Sequence, residues 1–169
     1  MAKTAGKKAT AADAEICMRM YDMRRESEMR KARAWFGKWS PQSFDDIVQL
    51  SMNMESQENA WLRQVLTYWE NAAALVLHGA VHKDLFMDWS GEMVFVYVKL
   101  KPWLKQIREF NKMPDWMGKV EKVATSTPAL RQRIAWMENR FKEFAAMRGW
   151  AHFAPRVRSQ TRVVSALAR

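Results

Sequence analysis

His78 and His82 stand four residues apart, with Asp84 two further on. Two imidazoles one helical turn apart can chelate a metal when a single helix presents both. Gly79 falls between them, and a glycine in that place ends a helix. The spacing then describes a helix end and a loop, and no metal is expected. Glu70 follows Trp69 in an apolar stretch. A carboxylate beside a buried aromatic face can take a raised pKa and serve as a general acid or base, with Asp45, Asp46 or Glu92 as a second carboxylate. No Glu-x-x-His motif accompanies it, so a di-iron bundle site lacks its ligands. A solvent-facing or salt-bridged Glu70 is the plainer expectation. Cys17, the only cysteine, sits on a basic stretch where arginine can lower a thiol pKa. No histidine neighbours it, and a buried, inert thiol is expected. Met18, Met20, Met23 and Met29 suit a soft metal or a peptide groove, but their spacing is also that of ordinary helix packing. No Gly-rich phosphate loop, nucleophile elbow or HExxH occurs. An enzyme or cofactor carrier would have to rest on Glu70, His78 and His82. The chain is read as a non-enzyme with no cofactor.

The other chemistry is ionic. Residues 1–9 hold Lys3, Lys7 and Lys8 and no acid, and residues 150–169 hold Arg156, Arg158, Arg162 and Arg169 and no acid. Of the formal net charge of +10, only +3 remains for residues 10–149, so the basicity belongs to two arms on a nearly balanced body. In RVRSQTRVVSALAR, Val163, Val164 and Leu167 stand between the arginines. Apolar anchors flanked by guanidinium groups suit a docking segment, with arginine pairing to carboxylates or phosphates around an apolar contact. The partner-binding residues expected are therefore Arg156, Arg158, Arg162, Val163, Val164, Leu167 and Arg169.

Something must carry these groups. The chain has 169 residues, enough for one domain with a core of its own, and 49% are apolar, which argues against wholesale disorder. Six glycines and five prolines are too few for a turn-rich β sandwich or barrel. Thirteen methionines and nine tryptophans supply large, adaptable packing volume. One cysteine forms no internal disulfide and, with no secretory signal legible at the start, a reducing cytoplasmic setting is expected. The longest apolar run, residues 72–77, is far short of the ~20 residues of a membrane span.

The pattern predicts an all-α bundle of five to six helices. The first runs over about 11–36, opened by Thr10 or Ala11, with Asp13 and Glu15 at its positive end and Glu26–Arg30 and Glu28–Lys31 as surface pairs. A short second helix starts at the capping-box-like Ser43–Asp46, with Phe44, Ile47, Val48 and Leu50 on its apolar face. The third, over about 57–78, carries two adjoining stripes: Trp61, Val65, Tyr68, Ala72, Val76 and Leu62, Leu66, Trp69, Ala73. A face that wide belongs at the centre of a bundle. VHKDLFMDWSG is a short helix or turn. MVFVYVKL reads as strand by β-branching or as helix by the spacing of Met93, Val96, Tyr97 and Leu100. Helix is preferred, because no second strand offers itself, with Pro102 as a kink or a new first turn. A short helix over 115–124 follows. Thr127-Pro128 then opens the last helix, which carries Leu130, Ile134, Met137, Phe141 and Phe144 and ends before Gly149.

ENAWLRQVLTYWENAAALVLHGAVHKDLF, then MVFVYVKLKPWLKQIRE, then the amphipathic last helix, resembles a family of bacterial all-helical proteins of unknown function over about residues 57–145. The shared motifs are packing motifs, and the resemblance implies a helical fold and assigns no residue a catalytic role. The organisation expected is a basic arm over 1–9, a helical bundle over 10–149 and a basic arm over 150–169. The function expected is a cytoplasmic interaction or assembly subunit that docks through its arms on a protein partner or on copies of itself. The rival is a basic protein that binds nucleic acid or the ribosome. A metal- or cofactor-binding bundle comes third.

Overall fold

In the computed structural model, which describes residues 8–147, every regular element is helical. Helix α1 (Ala11–Arg25) opens with a full capping box: the Thr10 hydroxyl accepts from the Asp13 amide and the Asp13 carboxylate accepts from the Thr10 amide. Asp13 is itself buried, and its second oxygen accepts from the His82 amide at 2.8 Å. One residue thus starts a helix and ties it to a loop nearly seventy positions away.

The expected single helix over 11–36 is two. The chain turns extended at Glu26 and restarts as α2 (Ser27–Lys38). The Glu26 carboxylate accepts from the Met29 amide at 3.0 Å and so caps α2, where a side-chain pair with Arg30 was expected. That bond, first among several, holds its pKa below the usual value. The Glu28–Lys31 pair forms on the exposed face. Helix α3 (Phe44–Met52) starts at the expected Ser43–Asp46 capping box.

Helix α4 (Gln57–Leu77) runs through the centre, with α2 and helix α8 (Gly118–Ala124) packed along it. Leu62, Val65, Leu66, Trp69, Ala72, Ala73 and Val76 are buried, and Trp61 and Tyr68 are half-buried at the margins. Gly79 closes α4 in the left-handed region at φ 72°. The Ala80 amide reaches back to the Leu75 carbonyl and the Gly79 amide to Val76, the two bonds of a Schellman end.

Helix α5 (Lys83–Trp89) is short. The ambiguous segment is helix α6 (Gly91–Leu100), with Met93, Val94, Val96, Tyr97, Val98 and Leu100 all buried. β-branching is tolerated there because burial on nearly every side outweighs the small propensity cost. Pro102 sits in a 3-10 turn (Lys101–Trp103) that hands the chain to helix α7 (Leu104–Asn111). Lys112 and Met117, both left-handed, shape the loop before α8, which starts at Gly118 rather than Asp115. The Thr127 hydroxyl caps helix α9 (Pro128–Met147) by accepting from the Leu130 amide. The segmentation is therefore finer than five or six helices, because Glu26 and Pro102 each divide a continuous apolar pattern. The expected stop at Gly149 lies outside the described residues.

Candidate functional site: an apolar cleft between α3, α4, α7 and α8

The groups singled out by type are mostly engaged in holding helices. His78 is the exposed C-cap of α4, and His82 is the N-cap of α5, its ring accepting from the Leu85 amide. Gly79 separates them in direction, so they do not share a helix face. Glu70 accepts from the Lys119 and Val120 amides, each at 3.1 Å, and pairs with the Lys119 ammonium at 3.3 Å. It is the N-terminal cap of α8, supplied from a different helix. Asp46 caps α3, and Glu92 lies between Arg24 and Arg33, so neither joins Glu70 as a carboxylate pair; Asp45 is exposed. Cys17 is buried, and burial, with Asp13 adding to it, pushes its thiol pKa up. Among the described residues no three of His, Cys, Asp and Glu converge as a metal-binding group.

Two arrangements escaped the sequence reading. Glu92, on α6, accepts from both Arg24 of α1 and Arg33 of α2, while Arg33 also donates to the Arg24 carbonyl at the end of α1. This triad clamps the break at Glu26 to the core. The hydrogen bond to Glu92 raises the already high pKa of Arg33 further. Lys99 is 5% exposed, and its ammonium donates to the Phe36 and Gly37 carbonyls at 2.5 and 3.1 Å. It lies 5.0 Å from the Phe36 and Phe95 ring centroids. Burial pulls its pKa down to about 8. A lysine in an otherwise apolar run looks like a surface residue; only the placing of α2's open carbonyls beside α6 explains it.

The surface is cut by a cleft of ≈ 460 Å³, within the range of ligand-binding pockets. Ile47, Leu62, Leu66, Leu100, Ile107 and Met117 form its apolar wall, and Trp39 and Trp116 add indole surface. Polar groups sit at intervals: Arg63, Glu70, Asp115 and Lys119. Asn59, 2% exposed, also lines it; its Nδ2 donates to the Leu50 and Ser51 carbonyls at the end of α3, while its Oδ1 has no donor. At the mouth Met54 is 59% exposed and Met113 50%. Exposed Met52 and Phe110 continue the apolar surface, Phe110 meeting Phe44 edge to face at 5.9 Å. Flexible thioethers around an apolar depression adapt to varied partners. A second cavity, under Arg24 and Trp69, holds about 20 Å³, room for one water and nothing larger.

The chain matches the family described as a domain of unknown function, DUF4760, over residues 9–127. The chain belongs to the DUF4760 family. The match takes in α1 to α8, including the first helices that the resemblance over 57–145 left out, and stops before α9. Every element lining the cleft lies inside the DUF4760 region. No curated protein and no solved structure matches the chain. Among the described residues no helix is long and apolar enough to cross a membrane. The expected docking residues of the C-terminal arm, Arg156, Arg158, Arg162, Val163, Val164, Leu167 and Arg169, lie outside the described residues.

Proposed function

We propose that this protein is a non-enzymatic, cytoplasmic interaction and assembly subunit. Its cleft receives an apolar segment of a protein partner, or of another copy, and its basic arms over 1–9 and 150–169 dock beside it. The observation that carries this reading is the cleft itself: an apolar wall, a methionine rim open to solvent, and polar groups of which Asn59, Glu70 and Lys119 are spent on holding helices. Solvent-facing methionine and aromatic groups around one depression are costly unless something covers them. In the arm, Val163, Val164 and Leu167 supply apolar anchors, and Arg156, Arg158, Arg162 and Arg169 supply charge.

Met54→Glu with Met113→Glu places charges on the apolar rim without touching the core. Partner recovered by affinity purification from the native cell is expected to fall at least tenfold, with the melting curve unchanged. Undiminished recovery sinks the cleft as the binding surface. The nucleic-acid reading draws on the net charge of +10. It predicts binding to mixed DNA or RNA that weakens steeply with salt, and no salt-sensitive binding dismisses it.

A further inference from the structure

The charges around the cleft balance. Arg63 and Lys119 stand against Glu70 and Asp115; Lys119 is paired with Glu70, and Arg63 and Asp115 are both exposed. Charge therefore selects neither an acidic nor a basic occupant. The buried part of the lining is more particular. Among the described residues it consists of Ile47, Leu62, Leu66, Leu100, Ile107 and Met117, all apolar, and of Asn59.

Asn59 is 2% exposed, and its amide is used at one end only. Nδ2 donates to the Leu50 and Ser51 carbonyls at 2.9 and 3.1 Å. Two carbonyls can be met only by the nitrogen, so the orientation of the amide is fixed. Oδ1 is left as an acceptor with two lone pairs and no protein donor. A buried acceptor in that state costs stability and calls for a donor from outside the chain. An occupant of the cleft can bring one. The body that carries the donor must suit an apolar wall edged by the Trp39 and Trp116 indoles and by the Met54 and Met113 thioethers. Indole faces and thioether sulfurs both favour aromatic rings. A ring with one N–H or O–H is what tryptophan and tyrosine present, and these residues are enriched among the anchors of protein interfaces.

We propose that the partner segment anchors in the cleft through an aromatic side chain with a donor at its edge, a tryptophan N–H or a tyrosine O–H. The ring lies against the apolar wall, and its N–H or O–H donates to Asn59 Oδ1. A phenylalanine or an aliphatic anchor fills the same space but leaves Oδ1 without a donor, so Asn59 sets the specificity of the site. This names the chemistry of the partner and rests on the cleft being the binding surface proposed above.

The test uses the full chain with carbon-13-labelled methionine methyl groups and small aromatic probes. Indole and p-cresol carry the two donors. Benzofuran has the shape of indole, with an acceptor oxygen in place of the N–H. Indole and p-cresol are expected to shift the methyl signals of Met54, Met113 and Met117. The signal of Met23 should stay in place, since exposed Met23 lies on α1, which lines no part of the cleft. Benzofuran should bind roughly tenfold more weakly than indole. The tighter of indole and p-cresol tells a tryptophan anchor from a tyrosine one. In Asn59→Leu, indole and benzofuran should bind alike. Asn59 also holds the end of α3, so a melt checks that this variant folds, and the comparison on the native chain stands without it. Benzofuran as tight as indole on the native chain, or shifts no larger at Met54 than at Met23, overturns the proposal. Equal binding of indole and benzofuran with partner loss in the rim variants sinks this inference alone. Donor-selective binding with undiminished partner recovery sinks the proposed function alone.

Discussion

Lys99 holds an ammonium where α2 ends, between two carbonyls and two phenyl rings. Unfolded, that amine titrates near its ordinary 10.5; folded, it titrates near about 8. Between those values the unfolded chain binds more protons, so stability rises as pH increases from about 8 towards 10.5 and is lost as pH falls through 8. The shift corresponds to at most about 3 kcal/mol. Tyr68 and Tyr97, each pushed up to about 12 mainly by burial, work in the opposite direction only above pH 10. Melts at pH 8, 9 and 10 should therefore show a Tm that gains with pH in the native protein relative to Lys99→Met. In both proteins the buried Cys17 thiol, raised above its ordinary 9.0, works the other way from pH 9 upward. Identical pH profiles from the two proteins contradict this placement of Lys99. Trp69, 2% exposed on α4, is the second decisive residue. Trp69→Ala should cost about 3–5 kcal/mol, enough to unfold a marginal domain, as a denaturant titration would show. That role was legible in the sequence because helical spacing placed Trp69 on one of the two adjoining apolar stripes of α4. The role of Lys99 was not, because its partners are backbone carbonyls more than sixty positions away.

At the level of helices, local signals were read well and long-range ones poorly. The caps at Thr10, Ser43 and Thr127 and the stop at Gly79 depend on residues within a few positions, and each occurs in the structure. The division at Glu26 depends on Arg24, Arg33 and Glu92 meeting from three helices, and Glu70 caps α8 across 49 positions. No periodicity encodes those meetings. Two glycines test the helix ends with opposite signs. Gly79 is left-handed, with open space around any added Cβ. Gly79→Ala should therefore lose roughly 1 kcal/mol from backbone strain alone. Gly37 lies within α2, also with open space, and Gly37→Ala should gain about 0.5–1 kcal/mol by raising helix propensity. Paired thermal melts decide it; equal shifts of one sign would refute the assigned backbone conformations.

For the whole molecule, the buried cluster runs from Cys17 to Ile134, so a 10–149 fragment should keep a cooperative, strongly helical melt. A fragment unfolded at low temperature would mean that the arms complete the core. The all-helical class was legible because apolar spacing, few glycines and strong caps agree. The cleft was not: its walls come from five helices and the loops between them, whose adjacency no single stretch reveals, and its rim methionines look like core methionines until their exposure is seen. The central claim is that arm and cleft make this an interaction subunit. Its most direct test is affinity purification from the native cell, with sizing, of the full chain and of a chain lacking residues 156–169. The account predicts that the deletion changes the recovered partners or the assembly size. Identical partners and identical size from both chains would contradict it.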